Sequence, residues 1–376
     1  MAQFPEEPLH LTSSEGFGYF PGYPGQKLKQ GQYEVIRKVG YGPRSSLWLA
    51  LNSSNEELYC ILKILTAHET LQKPSQELNV LNFEANHVDD YFHEDSHHGT
   101  HLCLVLVVSG PSCVLEDLMQ LHKCAFIHGA VTEGNIASWI GVYRDDLDPV
   151  LAKMSPCTIE RKITIGVVEY PVVLSTPIPG YFDWDADRAH VNRNGMDLIN
   201  LGHSQKMTEH RQKVTKRKRK LIKQNAPTWE KSRMDKSLRP PEIILGLPYS
   251  SKVDIWMLGS TVFHMATGKP LVPEDKLQDH GITLSWLIAM SGGHITRALA
   301  LKSQLTSQYF DENGLFKPGI PKATLEGQII TSGVVPADDI PGLVKFVEKC
   351  LTLDPEDRPS PKDLLGKEWL KLGLEG

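Results

Sequence analysis

The sequence predicts an α+β protein of two lobes, a β-rich N-terminal lobe with one main helix and a mainly helical C-terminal lobe. Two patterns carry this. Apolar and polar residues alternate between glycine and asparagine turns through residues 33–65, and the apolar run LCLVLVV at 102–108 has the length of a buried strand. From about residue 240 onward the apolar spacing becomes helical. A chain of 376 residues is long enough to bury two cores.

In chain order, residues 1–29 are rich in Pro, Gly and aromatics without periodicity and read as an extended lead-in. YEVIRKVGYG (33–42), SSLWLAL (45–51) and ELYCILKIL (57–65) read as successive strands, with Asn52 to Asn55 as a turn. PSQELNVLNFEANH (74–87) begins on Pro and has helical spacing of Leu78, Leu81 and Phe83. The first lobe therefore spans 30–110 and the second 111–372. Within the second, 141–192 reads as loop, with a Pro-rich patch. SKVDIWMLGSTVFHMATG (251–268) is apolar nearly all round and ends on Gly268, as a core-buried helix does. SWLIAMSGG, IPGLVKFVEKCL and PSPKDLLGKEWL read as shorter amphipathic helices.

Composition is that of a globular protein, 40% hydrophobic and 23% charged. A net charge of −5 argues against direct nucleic-acid binding. The six cysteines are scattered without a C-x-x-C, which argues against a metal site or disulfide framework and for a reducing compartment. The first residues lack the basic start and apolar run of a signal peptide, and no apolar run is long enough to span a bilayer.

GYGPRSSL (40–47) follows a strand. Glycines there let backbone N–H groups approach a phosphate, and the same glycines make tight hairpin turns, so the motif alone leaves both readings open. Lys63 lies one strand later, in YCILK. A lysine in an apolar strand either meets an anion, because burying its charge alone is costly, or snorkels at the strand edge. Glu77 on the next helix is placed to pair with it. Gly-rich hairpin, strand lysine and helix glutamate, in that order, resemble the phosphate-gripping half of a protein kinase.

The resemblance continues in kinase order. IHGAVTEGN has the frame H-x-D-x-x-x-x-N, DLINLGHSQ (197–205) stands where D-[FL]-G belongs, and LRPPEIILG (238–246) is similar to the A-P-E segment. VDIWMLGSTVFHMATG is similar to the central helix of the second lobe, and LDPEDRPS (353–360) comes after it. YEVIRKVGYGPRSSLWLA, GTHLCLVL, INLGHSQ and HITRALALKSQLTSQYFDENGLF resemble the SR-protein kinase family of the CMGC group. So does the long insertion between the two motif asparagines, Asn135 and Asn200.

That resemblance implies a role for individual residues. His128 is the structural histidine of the catalytic loop. Ala130 stands where the family has its catalytic Asp, and an alanine accepts no proton from a substrate hydroxyl. Thr132 stands where a Lys would meet the γ-phosphate. Asn135 keeps the place of a Mg²⁺ ligand, and Asn200 replaces the Asp of the metal motif. An amide oxygen ligates Mg²⁺ without bringing charge, so metal affinity should fall. Gly40, Gly42, Ser45, Leu47, Lys63 and Leu106 are expected around the nucleotide, with Ile61 where the family has a small Ala above the adenine. The Val107 C=O and Ser109 N–H are the expected adenine hydrogen-bonding groups. Asp254 should tie down the catalytic loop, and Arg358 should pair with Glu242.

Further expectations concern architecture. Only residues 111–127 lie between Gly110 and His128, where the family fits two helices, and VLEDLMQLHKCAF supplies one. One side of the buried helix at 251–268 should then lose cover. Residues 141–192 are the insertion and 203–239 the activation segment. The basic run at 213–223 is either a solvated loop or a patch for nuclear import or an acidic partner, and it would repel an Arg/Ser-rich substrate.

The reading is a pseudokinase of the SR-protein-kinase-like family, monomeric and cytoplasmic or nuclear. It binds ATP with weak or no Mg²⁺, and a protein partner. One rival is an active serine kinase for Arg/Ser-rich proteins, its base displaced to Asp183, Asp185, Asp187 or Asp197. The other is a nucleotide-independent scaffold or decoy.

Overall fold

The computed structural model describes residues 6–54, 58–71, 78, 80, 88–106, 113–138, 143–178, 196–207, 234–303 and 305–366. The chain forms two compact units. The first comprises Met1–Ser112 and Ser138–Met196, the second Cys113–Ala137 and Asp197–Gly376.

The first unit is built on an antiparallel sheet of β1 (Lys27–Leu28), β2 (Tyr33–Gly42), β3 (Ser45–Asn52), β4 (Tyr59–Leu65), β5 (Val88–Ser96) and β6 (Gly99–Leu106). Its order is β1-β2-β3-β4-β6-β5. The three strands read at 33–65 and the buried strand at 102–106 are present, and β5 was not anticipated. Alternation along β3 and β4 gives the sheet two faces. Trp48, Ala50, Cys60, Leu62 and Ile64 point to one face, and Leu47, Leu49, Leu51, Tyr59, Ile61 and Lys63 to the other.

Both faces are covered. Phe20 and Leu28 pack on the Trp48 face in one apolar cluster. Gly22 lies so close over the Trp48 indole that an added Cβ would come within 2.8 Å of it, so only glycine passes there. Residues 6–29 of the expected extended lead-in thus form a packed segment. Its aromatics, which made it look irregular, are buried core side chains, with Tyr19 and Phe20 each 2% exposed. Lys38 of β2 is fully buried and forms ion pairs with Glu6 and Glu7 of the same segment. Its ammonium also donates to the Val173 carbonyl.

The insertion departs further from expectation. In place of a loop, it contains a helix, Arg144–Lys153, and an antiparallel hairpin, Ile159–Ile165 with Val168–Val173. Gly166, at φ +64°, turns the hairpin in the left-handed region that glycine adopts freely. Contacts group residues 138–196 with the first unit and not with the second lobe, where the linear reading had put them.

In the second unit the helix Val114–Lys123 runs almost directly into the strand Phe126–Ile127, which pairs with Gln205–Lys206. This is the single short helix expected between 111 and 127. The helix Lys252–Thr267 is buried from Val253 to Thr261. Gly259 lets the helix Ile340–Cys350 approach until Cys350 occupies the space of a Cβ. The expected loss of cover is confined to the last turn, where Met265 is 56% exposed. No helix among the described residues is long and apolar enough to cross a membrane.

Candidate functional site

The loop 128–135 is held from below by one carboxylate. Asp254, fully buried on the helix Lys252–Thr267, accepts from the His128 N–H at 2.9 Å and the Gly129 N–H at 2.8 Å. A third bond, 2.8 Å long, joins its Oδ2 to His122 Nε2. A buried carboxylate is tolerated because its lone pairs are filled by donors. The His128 ring then orders the loop from within. Its Nε2 donates to the Ile199 carbonyl at 3.0 Å, and its Nδ1 accepts from the Ala130 N–H at 3.2 Å. That pair of roles fits the neutral Nε2–H tautomer. Thr261 Oγ1 donates to the Val131 carbonyl at 2.7 Å. Asp254 from below and His128 from within thus order the backbone of the loop.

The frame ends on groups without charge. Ala130 is partly exposed and ends in a methyl group. Thr132 takes part through its carbonyl, which accepts from the Asn135 N–H at 2.9 Å. Asn135 Nδ2 donates to the Ala130 carbonyl at 2.8 Å, which turns its Oδ1 outward. There Asn200 Nδ2 donates to Asn135 Oδ1 at 3.0 Å. The two residues expected to hold a metal are therefore bonded to each other through their side-chain amides. As a donor set for Mg²⁺ this arrangement does not fit, because a hard cation requires converging oxygens. Asn200 sits at φ +69°, a left-handed conformation that asparagine adopts more readily than most residues. The loop's own carboxylate, Glu133, lies 3.4 Å from His264 Nδ1 near the surface.

Below the loop, Arg358 and Glu242 form a fully buried two-pronged pair at 2.9 and 3.1 Å. Arg358 also donates to the Thr352 and Lys252 carbonyls and lies 5.1 Å from the Trp256 ring centre. Acceptors and an aromatic face thus surround the guanidinium.

In the first unit, Gly40 and Gly42 flank the β2–β3 turn, opposite Leu47 and Ser45. A Cβ at either glycine would meet nothing within 4 Å, so packing does not demand glycine there. Lys63 is 7% exposed on β4, opposite Leu47 and Leu104. Ile61, two residues away on the same face, pairs with Leu49 and Leu106. This face does not stand open. Leu147, Val150 and Leu151 of the helix Arg144–Lys153, together with Ile178, pack against Val39, Leu47, Ile61 and Leu106.

Glu77, Val107, Ser109, Asp183, Asp185, Asp187 and the basic run 213–223 lie outside the described residues. Asp197, another proposed substitute base, is 4% exposed. Sequence reading missed His122, whose signal was its place in the last turn of the helix leading toward the loop, and Asp117, whose carboxylate accepts from the Leu198 N–H at 2.7 Å. It also missed the Leu147, Val150, Leu151 stripe, legible as i, i+3, i+4 spacing within RDDLDPVLAK.

Residues 190–370 match the protein kinase domain family. The serine/threonine-protein kinase SRPK of Physarum polycephalum is 25% identical, covering 94% of this chain and 89% of its own. Human dual specificity tyrosine-phosphorylation-regulated kinase 4 is 22% identical over 90% of this chain and 57% of its own. A kinase domain solved by crystallography superposes with a TM-score of 0.54 at 18% identity, over 94% of this chain and 98% of that one. Order of motifs, fold and relatives agree: the chain has the protein kinase fold, its residues 190–370 match the protein kinase domain family, and along its length it is similar to serine/threonine kinases of the SRPK type.

Proposed function

We propose that this chain is a pseudokinase, a kinase-fold protein that retains the catalytic-loop scaffold without the charges that move a phosphoryl group. The observation that carries this is the Asn135–Asn200 hydrogen bond. Kinase catalysis rests on positioning and on neutralising charge with metal ions. Here the position stands and an amide pair closes it. Ala130 supplies no acceptor for the substrate's proton, and Thr132 supplies no cation. Kinases of this family use ATP and Mg²⁺ in general. In this chain we assign the remaining work to binding, with a protein partner as the ligand and ATP bound weakly and without metal.

The test is transfer of labelled γ-phosphate from Mg-ATP to an Arg/Ser-rich peptide, with Lys63→Met as control. No incorporation above the control is expected. Incorporation that vanishes in Lys63→Met would overturn the proposal and assign an active serine kinase.

A further inference from the structure

We infer that the helix Arg144–Lys153 is an intrachain competitor for the nucleotide face: it lies where an adenine would stack and must leave before one can. The inference rests on the resemblance that assigns Leu47, Ile61 and Leu106 to the nucleotide. Everything else in it comes from the first unit alone.

The sheet face carrying those residues is largely apolar, with Ser45, Lys63 and the Tyr59 hydroxyl as its polar groups on β3 and β4. Such a face invites an aromatic ring or an aliphatic stripe. The helix supplies the stripe, since Leu147, Val150 and Leu151 recur at i, i+3 and i+4 and fall on one side. Leu147 is 4% exposed and Ile61 7%, so the contact leaves almost no surface at its centre. Interiors pack without gaps, and an adenine cannot share that space with leucine side chains.

The helix is also fastened at its margins. Tyr59 Oη donates to Asp148 Oδ1 at 2.5 Å, and Leu58 bridges to Tyr143 at the helix's start. Past its end, Arg37 Nη2 donates to the Ser155 carbonyl at 2.7 Å. The Thr176 N–H donates to the Lys38 carbonyl at 3.0 Å, which draws Ile178 beside Val39. These ties are side-chain and edge contacts, without the continuous ladder that joins β2, β3 and β4. The helix is ten residues long and carries Pro149 in its interior, so its intrinsic stability is low and its docking depends on the stripe. Such an element is suited to leave when something else binds the face.

A ligand that binds only the open state has its apparent affinity reduced by the open fraction. Weakening the stripe should therefore raise nucleotide affinity. The experiment titrates the full chain with the fluorescent nucleotide mant-ATP, without Mg²⁺. It compares the unaltered protein, the double variant Leu147→Ala, Leu151→Ala, and that variant with Lys63→Met added. The expected result is a dissociation constant at least about tenfold lower in the double variant, returned toward the unaltered value by Lys63→Met. Equal affinity in the unaltered and double-variant proteins would overturn the inference while leaving the nucleotide face in place. A gain indifferent to Lys63→Met would overturn both, because the nucleotide would then sit elsewhere. A second arm needs no variant and stands if the double variant misfolds. It follows hydrogen exchange of residues 143–155 in the unaltered chain at saturating mant-ATP. Lost protection is expected, and protection unchanged with nucleotide bound would sink the inference.

Discussion

The catalytic-loop region and the nucleotide-face region depart from the kinase pattern by opposite routes. In the second unit the backbone of 128–135 keeps its hydrogen bonds to Asp254 and its own histidine, and the change lies in the charge of the groups it presents. In the first unit the lysine itself is kept at position 63, and the apolar face around it is covered by an insertion helix. The contrast shows that a scaffold and its chemistry are separable. The scaffold is fixed by buried bonds to the loop backbone, whereas charge and access hang on a few side chains.

The largest effect should come from breaking the scaffold of the second unit. Arg358→Ala strands the Glu242 carboxylate in the core and should lower stability by about 3–5 kcal/mol, read by urea denaturation. Replacing the pair together with Met and Leu should lose much less. If the single and double variants fall equally, the ion pair is not what matters.

Next comes acid. Burial lowers the pKa of His101 from its ordinary value of 6.5 to about 4. Its Nδ1 faces the Leu65 carbonyl at 2.9 Å, and its Nε2 faces Ser96 Oγ at 2.7 Å. His98 is lowered also, chiefly by burial. A group whose folded pKa lies below its unfolded one binds fewer protons when folded. Its stabilisation is therefore full above about pH 6.5 and drains away as pH falls toward 4, on the order of 3 kcal/mol for His101. His101→Gln should flatten that slope in the first unit, and an unchanged slope would assign it to other groups.

A smaller effect sharpens the metal question. Asn200→Asp turns the bond to Asn135 into two facing oxygens, a loss of roughly 1–2 kcal/mol without metal. Millimolar Mg²⁺ should restore the melting temperature of that variant and leave the unaltered protein unmoved. A Mg²⁺-dependent rise in the unaltered protein would show that the amide pair opens for the ion after all.

The smallest concerns the helix. Tyr59→Phe removes one hydrogen bond to Asp148, about 1 kcal/mol. Hydrogen exchange should quicken across 144–153 and stay unchanged in β2–β4.

Much of this was legible in the residues. Strands at 33–65 announce themselves by alternation, and the central helix by its unbroken apolar surface. The loop's roles come from motif order, because His128, Asp254, Glu242 and Arg358 do their work at fixed spacings from recognisable neighbours. What escaped reading depends on partners distant in sequence. Tyr19 and Phe20 look like loop aromatics until a sheet face is found for them. The stripe Leu147, Val150, Leu151 is short and interrupted by Pro149, so its periodicity is weak until Ile61 and Leu106 stand opposite. The Asn135–Asn200 bond was invisible for another reason. Sequence names two potential ligands and is silent on which amide atoms face each other.

The knot of Lys38 with Glu6 and Glu7 has a consequence for how this gene can drift. The ammonium is fully buried beside both carboxylates, and desolvation pulls its pKa down while the Glu6 carboxylate pulls it up. Loss of both acids leaves a lone cation in the sheet, and loss of the lysine leaves two anions packed together, each a severe lesion. The three positions therefore form one epistatic unit, about thirty residues apart in the chain. Descendant genes should keep them together or exchange them together for apolar residues. Trimming the chain past Glu7 should be tolerated only when Lys38 is changed in the same step.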